Sequence, residues 1–459
     1  MTTETPLYLQ GHLAPVPDEI EAVDLPVTGT LPPELTGRYL RNGPNPLPGQ
    51  DPGHWFAGQG MLHGVRLREG RAEWYRNRWV RTGTMEGRAF LRPDGTFDRT
   101  AVVANTHVIE HGGRILALVE NGFPYVVTPE LDTVGPDDFR GRLTTAMTAH
   151  PKSDPVTGDL HFFGYGALPP YLTYHRLSAA GELVRSAEVP VAGPTMMHDF
   201  AITDRHAVFL DLPMTFRLQK GMPYGWDDTY GARLGVMPLD RPGEARWFEI
   251  EPCYVFHVGN AYEDAAGRIV LDAAHYTRDA IKAAWETIGP SPSGHTSAAA
   301  AAGVATLYRW TIDPAAGTVT QAQLSEEGLE FPTVDDARVG RANRYLYAVS
   351  DTEGILQHDA ERGSVAAHGL GPDVVAGEAV FVPSGAPDRG EADGWLLSIT
   401  TTRDGKASEL LVLDATDVAG APVARVTLPR GVPAGFHGSW IPDSDLPAER
   451  SENQDEDDR

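Results

Sequence analysis

Short apolar runs, each fenced by Gly, Asp, Asn or Pro, recur along nearly the whole chain and leave little room for long helices. "GRILALVE", "HAVFLDLP", "RIVLDAAHY", "TLYRWTI", "RYLYAVS", "GWLLSITTT", "SELLVLDA" and "ARVTLP" are alternating or β-branched segments of strand length. "PDG" (93–95), "TGD" (157–159) and "RDG" (403–405) supply hairpin corners between such runs. Forty-nine glycines and thirty-seven prolines fit the same picture. Many short strands at hairpin spacing predict an all-β protein, and the length favours four-stranded blades repeated around an axis over one barrel. No WD or kelch signature repeats; about sixty-five residues to a blade divides the chain into seven. The best helical periodicity is "TRDAIKAAWETIG" (277–289), leading into a small-residue stretch, "PSPSGHTSAAAAAG", expected to be a loop or lid. No linker interrupts the pattern, so residues 1–442 are expected to form a single propeller domain.

Charge and cysteine content exclude several classes of function. Thirty-eight basic against sixty-three acidic residues give a net charge of −25, which repels a phosphate backbone and argues against nucleic acid. The single cysteine, Cys253, rules out an internal disulfide or a thiolate-rich metal site, so any metal must be held by His, Asp or Glu. "MTTETPLYLQGHLAPVPDE" has neither a basic nor an apolar leader segment, and the expected location is the cytoplasm. Residues 443–459, acidic and nearly free of apolar side chains, are expected to be a disordered tail.

Four of the sixteen histidines share one setting, a boundary between an apolar strand and a small or turn-forming residue: His150, His198, His257 and His437. Strand ends from different blades meet on a propeller axis, so these four could form a metal site despite their separation. Imidazole suits Fe, Cu, Zn and Ni alike. Four neutral ligands leave the cation's charge uncompensated, and metal-bound imidazoles usually donate their other N–H to an acceptor, often a carboxylate. Glu120 in "ALVENGFPY", Glu330 in "GLEFPTVDD" and Glu378 in "AGEAVFVP" are charged residues set against apolar runs; each is either such a partner or a solvated turn carboxylate. His54, His63, His107 and His111 stand in mixed polar contexts that suggest structural or surface roles.

"RYLRNGPNP", "HWFAGQGMLHGV", "ANTHV", "AHPKSDPVTGDLHFFGY", "MMHDFAIT", "FHVGNAYED", "EFPTVDD" and "GFHGSW" follow one another in an order that resembles the carotenoid cleavage oxygenases, a family that includes apocarotenoid oxygenases, plant carotenoid dioxygenases and stilbene-cleaving enzymes. The resemblance implies a seven-bladed propeller with a helical and loop cap over an axial Fe(II). The iron would be held by His150, His198, His257 and His437, with Glu120, Glu330 and Glu378 fixing three of the imidazoles. It implies an enzyme that uses O2 to split a conjugated C=C bond into two carbonyl fragments. Thr106 of "ANTHV" matches the family threonine near the vacant iron position, and Asp199 belongs to the surrounding motif.

Two departures bear on substrate. Where many relatives read Asp-Gly-Asp-Gly this chain has Ala57-Gly58-Gln59-Gly60. Members that cleave hydroxystilbenes carry a Lys just before the glutamate and a Tyr upstream; here those positions are Val119 and Phe90, an apolar pair that cannot hold a phenolate. The expected substrate is therefore an apolar carotenoid or apocarotenoid, with cleavage of a stilbene or phenylpropenoid double bond, or oxygen-free binding or isomerisation of an apolar ligand, as alternatives. "PMTFRLQKGMPYGW" (213–226) reads either as a tunnel-mouth patch making transient membrane contact for substrate uptake or as ordinary surface.

Overall fold

Antiparallel pairing bends the chain into seven blade sheets and a separate two-stranded hairpin, seen in a computed structural model that describes residues 5–217, 222–288 and 304–447. Blade 2 runs His107–His111, Arg114–Leu118, Tyr125–Val127, Thr133–Pro136, and blade 3 runs Lys152–Ser153, Leu160–Tyr165, Leu172–Leu177, Leu183–Glu188. Blade 4 is built from Phe200–Ile202, His206–Asp211, Arg233–Pro238 and Arg246–Glu249, and blade 5 from Tyr254–Glu263, Ile269–Tyr276, Thr306–Asp313 and Thr318–Gln323. Glu330–Thr333, Tyr345–Ser350, Gly354–Asp359 and Ser364–His368 make blade 6. All eight runs singled out in the sequence fall on strands.

The remaining two blades are composite. Blade 7 sets Val374–Ala376 and Val380–Pro383 against Gly394–Thr402, continues through Ser408–Asp414 and Ala424–Thr427, and is completed outside by Val27–Gly29. Blade 1 joins Gly37–Pro44, Gly60–Arg68, Arg71–Trp79 and the edge strand Glu21–Val23, and its first position is filled by Gly438–Pro442. Early and late segments thus cross the seam in both directions, closing the ring by hydrogen bonds.

Burial explains why these sequences form these strands. Ile269–Tyr276 and Gly37–Pro44 are buried throughout, since each lies mid-blade with a neighbouring blade on either face. Outer strands are polar: Thr318–Gln323, "TVTQAQ", is exposed at nearly every residue, which keeps a free edge soluble. Apolar clusters fill the spaces between blades, such as Leu40, Leu62, Val108, Ile115 and Tyr125 between blades 1 and 2.

The predicted helix is present as Arg278–Ile288, begun by Thr277, whose hydroxyl accepts the Ala280 N–H at 3.2 Å. The stretch expected to be a loop or lid, 290–303, lies outside the described residues. Of segment 213–226, Met214–Phe216 pairs with Tyr224–Trp226 in a hairpin beside blade 4, and Met214 and Trp226 are buried in the core; 218–221 lie outside the described residues. No helix among the described residues is long and apolar enough to cross a membrane.

One boundary is corrected. Asp443, expected to open the disordered tail, accepts hydrogen bonds from Arg38 at 2.9 Å and Arg66 at 2.8 Å, with Arg68 at 3.4 Å. Both Arg38 and Arg66 are buried, so their charges require that carboxylate. Residues 448–459 lie outside the described residues.

Candidate metal centre

The first strand of each blade faces the axis, and the four histidines stand at its start or just before it. His150 precedes Lys152–Ser153 of blade 3, His198 precedes Phe200–Ile202 of blade 4, His257 lies in Tyr254–Glu263 of blade 5, and His437 precedes Gly438–Pro442 of blade 1. Their ligand atoms all lie within 4.8 Å of one another. His150 Nε2 is 2.9 Å from His198 Nε2, which is 3.3 Å from His257 Nε2, which is 3.1 Å from His437 Nε2.

The three glutamates come from the other three blades and meet the outward nitrogens. Glu330, opening the axial strand of blade 6, faces His257 Nδ1 at 2.6 Å; Glu378, on the axial side of blade 7, faces His437 Nδ1 at 2.8 Å; Glu120, following Arg114–Leu118 of blade 2, is paired with His198 Nδ1. All seven blades therefore contribute one side chain to the ring. Among the described residues no carboxylate is paired with His150.

This arrangement fits a cation. A carboxylate on Nδ1 puts the imidazole proton there and turns the Nε2 lone pair inward, so at least three lone pairs converge at hydrogen-bond distance, which is repulsive unless a positive ion lies among them. Burial and the neighbouring imidazoles hold His150 and His437 well below the usual histidine range and bring His257 down to about 3, so all three are neutral and able to ligate. Burial also lowers His198, but the Glu120 carboxylate outweighs it and the net shift is upward. Burial pushes the Glu330 carboxyl up to about 7 and raises Glu378; a divalent cation among the imidazoles would supply the opposing charge.

Several members of the site escaped the sequence reading. Tyr165 donates its hydroxyl to Glu120, and Tyr276 donates to Glu330 Oε1 at 2.6 Å, so each carboxylate is oriented by a tyrosine from a second strand. The Gly438 N–H does the same for Glu378 at 2.8 Å. Phe331, stacked on His257 with ring centroids 4.9 Å apart, has a left-handed backbone (φ +53°) costly for a bulky residue; the bond from its N–H to Glu330 Oε2 at 2.9 Å holds it there. His107, expected in a structural or surface role, is half-buried with its ring 5.0 Å from that of His437 and Nδ1 2.8 Å from the Ala149 carbonyl. Tyr165 and Tyr276 end the runs "HFFGY" and "DAAHY", but only the inter-blade packing shows which carboxylates they reach.

Thr106 is buried beside the ring: its carbonyl accepts the His437 N–H at 3.2 Å and its hydroxyl donates to Asn105 Oδ1 at 3.2 Å. Gln59 donates from its amide nitrogen to Thr84 Oγ1 at 2.9 Å. Val119 and Phe90, far apart in sequence, pack on one apolar cluster. On the His198 side, Phe256 lies 5.2 Å from the imidazole, and Phe56, Phe436 and Trp285 of the helix continue an aromatic wall, with Phe56 6.2 Å from Phe256 and 5.3 Å from Phe436. Trp285 stacks over Phe256 at 6.4 Å, so the helix is part of the cap.

The chain that builds this propeller axis matches known proteins along nearly its whole length. The family described as retinal pigment epithelial membrane protein matches residues 13–442. A Mycobacterium tuberculosis protein named carotenoid cleavage oxygenase is 39% identical, over 95% of this chain and 97% of that one. Cobalt-substituted Synechocystis apocarotenoid oxygenase superposes with a TM-score of 0.80 at 29% identity, covering 93% of this chain and 97% of that one. The lignostilbene dioxygenase of Pseudomonas brassicacearum superposes with a TM-score of 0.83 at 27% identity, covering 96% and 99%. The chain belongs to the carotenoid cleavage oxygenase family and is an oxygenase-type enzyme.

Proposed function

We propose that the protein is a non-haem Fe(II) oxygenase that cleaves a conjugated C=C bond of a carotenoid or apocarotenoid with O2, giving aldehyde or ketone products. The observation that carries this reading is the pairing of a four-imidazole ring with an aromatic wall: nitrogen ligands able to hold a metal lie beside Phe256, and Phe56, Phe436 and Trp285 extend the wall from it. The likeness to named carotenoid-cleaving oxygenases supports the substrate class.

His150, His198, His257 and His437 would hold the iron, which when bound supplies the activation of O2 that the side chains lack. The rest falls to the protein. Glu120, Glu330 and Glu378 fix the imidazole tautomers, and Tyr165, Tyr276 and the Gly438 N–H fix the carboxylates. The aromatic wall excludes water and offers π-faces along which a polyene can lie. In this reading Thr106, held against His437 through its carbonyl, would limit access of water to the bound metal. Both oxygen atoms end in the two carbonyls that replace the C=C bond, so no external reductant is required.

The same likeness extends to a stilbene-cleaving enzyme. Val119 and Phe90 weigh against that substrate, because neither side chain can pair with a phenol oxygen and the tyrosine of the cluster they share, Tyr125, already donates its hydroxyl to the Thr100 carbonyl and accepts the Gly83 N–H. Iron-loaded protein incubated separately with an apocarotenal and with a hydroxystilbene, with aldehydes read by mass spectrometry, tests the reading. Cleavage of the polyene is expected. Aldehyde from the stilbene alone, or from neither, overturns it.

A further inference from the structure

His54 lies within the aromatic wall and is 3% exposed. Its Nδ1 accepts the backbone N–H of Phe56 at 3.1 Å, which places the ring proton on Nε2. Among the described residues that Nε2–H meets no acceptor, and neither does the buried Nε1–H of Trp55 beside it. Buried donors are almost always paired, and one left without a partner is costly to the fold. Both donors lie among the rings assigned to the substrate: His54 is 5.0 Å from Phe56 and 5.4 Å from Trp285, and Trp55 is 4.7 Å from Phe436. The loop is held firmly, since Asn105 Nδ2 donates to the carbonyls of Phe56 and Gly58 at 2.8 Å each.

We propose that His54 Nε2–H, with Trp55 Nε1–H as its neighbour, is a subsite for an uncharged oxygen on the substrate, so that the preferred polyene carries a hydroxyl, aldehyde or ketone group and is not a pure hydrocarbon. The inference rests on the functional reading above and adds the chemistry of one substrate end. Burial holds the His54 imidazole down to about 4, so at neutral pH it is an uncharged donor, suited to a neutral oxygen. A hydrocarbon in the same place leaves the donor desolvated and unpaired, which is how a polar group in an apolar site discriminates.

The test is a binding titration of the full-length protein, read by quenching of tryptophan fluorescence, with a β-apocarotenal, the corresponding alcohol, and a hydrocarbon polyene of matched conjugated length. Wild-type protein is expected to bind the two oxygenated probes about tenfold more tightly than the hydrocarbon. In His54→Asn the amide oxygen takes the place of Nδ1 and keeps the Phe56 bond, but no donor remains at the Nε2 position; the ratio should fall to near one. In His54→Gln the amide nitrogen takes the place of Nε2, and the ratio should be largely retained although the bond to Phe56 is lost. A purely structural role for His54 predicts the reverse order of the two variants. Equal affinities in the wild type, or a ratio unchanged in His54→Asn, overturns this proposal alone. A wild-type protein that binds none of the probes overturns it together with the functional reading.

Discussion

Lys152 Nζ lies 2.7 Å from Asp199 Oδ1, and the other oxygen of the same carboxylate accepts the Val258 N–H at 2.8 Å. Lys152 stands two residues after His150, Asp199 next to His198, and Val258 next to His257. One buried carboxylate therefore fixes the spacing of three strands that carry the candidate ligands. Asp199→Asn keeps an acceptor but strands the lysine, and metal affinity should drop by about 10 to 100-fold while the β signal in circular dichroism is unchanged. Metal content after dialysis against graded chelator reads this; unchanged retention would show that the strands hold their spacing without the carboxylate.

Glu330→Gln and Tyr276→Phe should act in series. The first removes the charge facing His257, and the second removes only the hydroxyl that orients that charge. Metal affinity should fall by about 10 to 100-fold for Glu330→Gln and by less for Tyr276→Phe, with the double variant no worse than Glu330→Gln alone. Additive losses would mean that the tyrosine acts independently of the carboxylate.

Asp443→Ala removes the partner shared by Arg38 and Arg66, whose side chains are only 2% and 4% exposed. An uncompensated buried charge typically costs about 3–5 kcal/mol, reduced here because Asp443 is a quarter exposed and Glu130 and Glu73 remain nearby. Thermal unfolding should show a loss of several degrees. A melting temperature within one degree of wild type would mean that this contact contributes nothing to closure.

His161 and His175 set an acid limit on stability. Each is buried and neutral, His161 against the Tyr174 hydroxyl at 2.7 Å and His175 between Thr145 and Ser186 at 2.8 Å each, and burial brings both down to about 4. Below pH 6.5 the unfolded chain takes up protons that the folded one refuses, so their contribution to stability is full above that pH and is lost as the pH falls towards 4. Replacing both by Gln should flatten the fall in melting temperature between pH 6.5 and 4; an equally steep fall would assign the acid sensitivity to other groups.

Substrate class should follow Val119 and Phe90. Wild-type kcat/KM should favour an apocarotenal over a hydroxystilbene, and Val119→Lys with Phe90→Tyr should move the ratio towards the phenol by roughly 5 to 150-fold. A wild type already favouring the phenol would transfer the chemistry to the stilbene reading.

The sequence carried the strands and the helix because their signals are local: eight apolar runs, and Thr277 before an amphipathic turn. The histidines and glutamates were legible because each interrupts an apolar run at a blade's edge. Tyr165, Tyr276 and Lys152 were not, since each contact depends on the register between blades: Tyr165 to Glu120 spans 45 positions and Tyr276 to Glu330 spans 54. Asp443 was misread because acidic composition described its neighbours downstream, while two buried arginines from blade 1, about 400 residues upstream, decided its own place. His54 resembled an ordinary polar residue until the rings around it were known.

The strand that fills the axial position of blade 1 begins immediately after His437, and it is made only after the strands of blade 7. On the ribosome, three imidazoles are available once blade 5 has emerged, and the fourth arrives much later on the strand that shuts the seam. If these four imidazoles hold the metal, a nascent chain would have only an incomplete, weaker set, and full occupancy would be a check that the circle has been finished. An ion bound there would tie the last-made ligand to three made earlier, so that opening the seam would require giving up a coordinate bond as well as a row of hydrogen bonds.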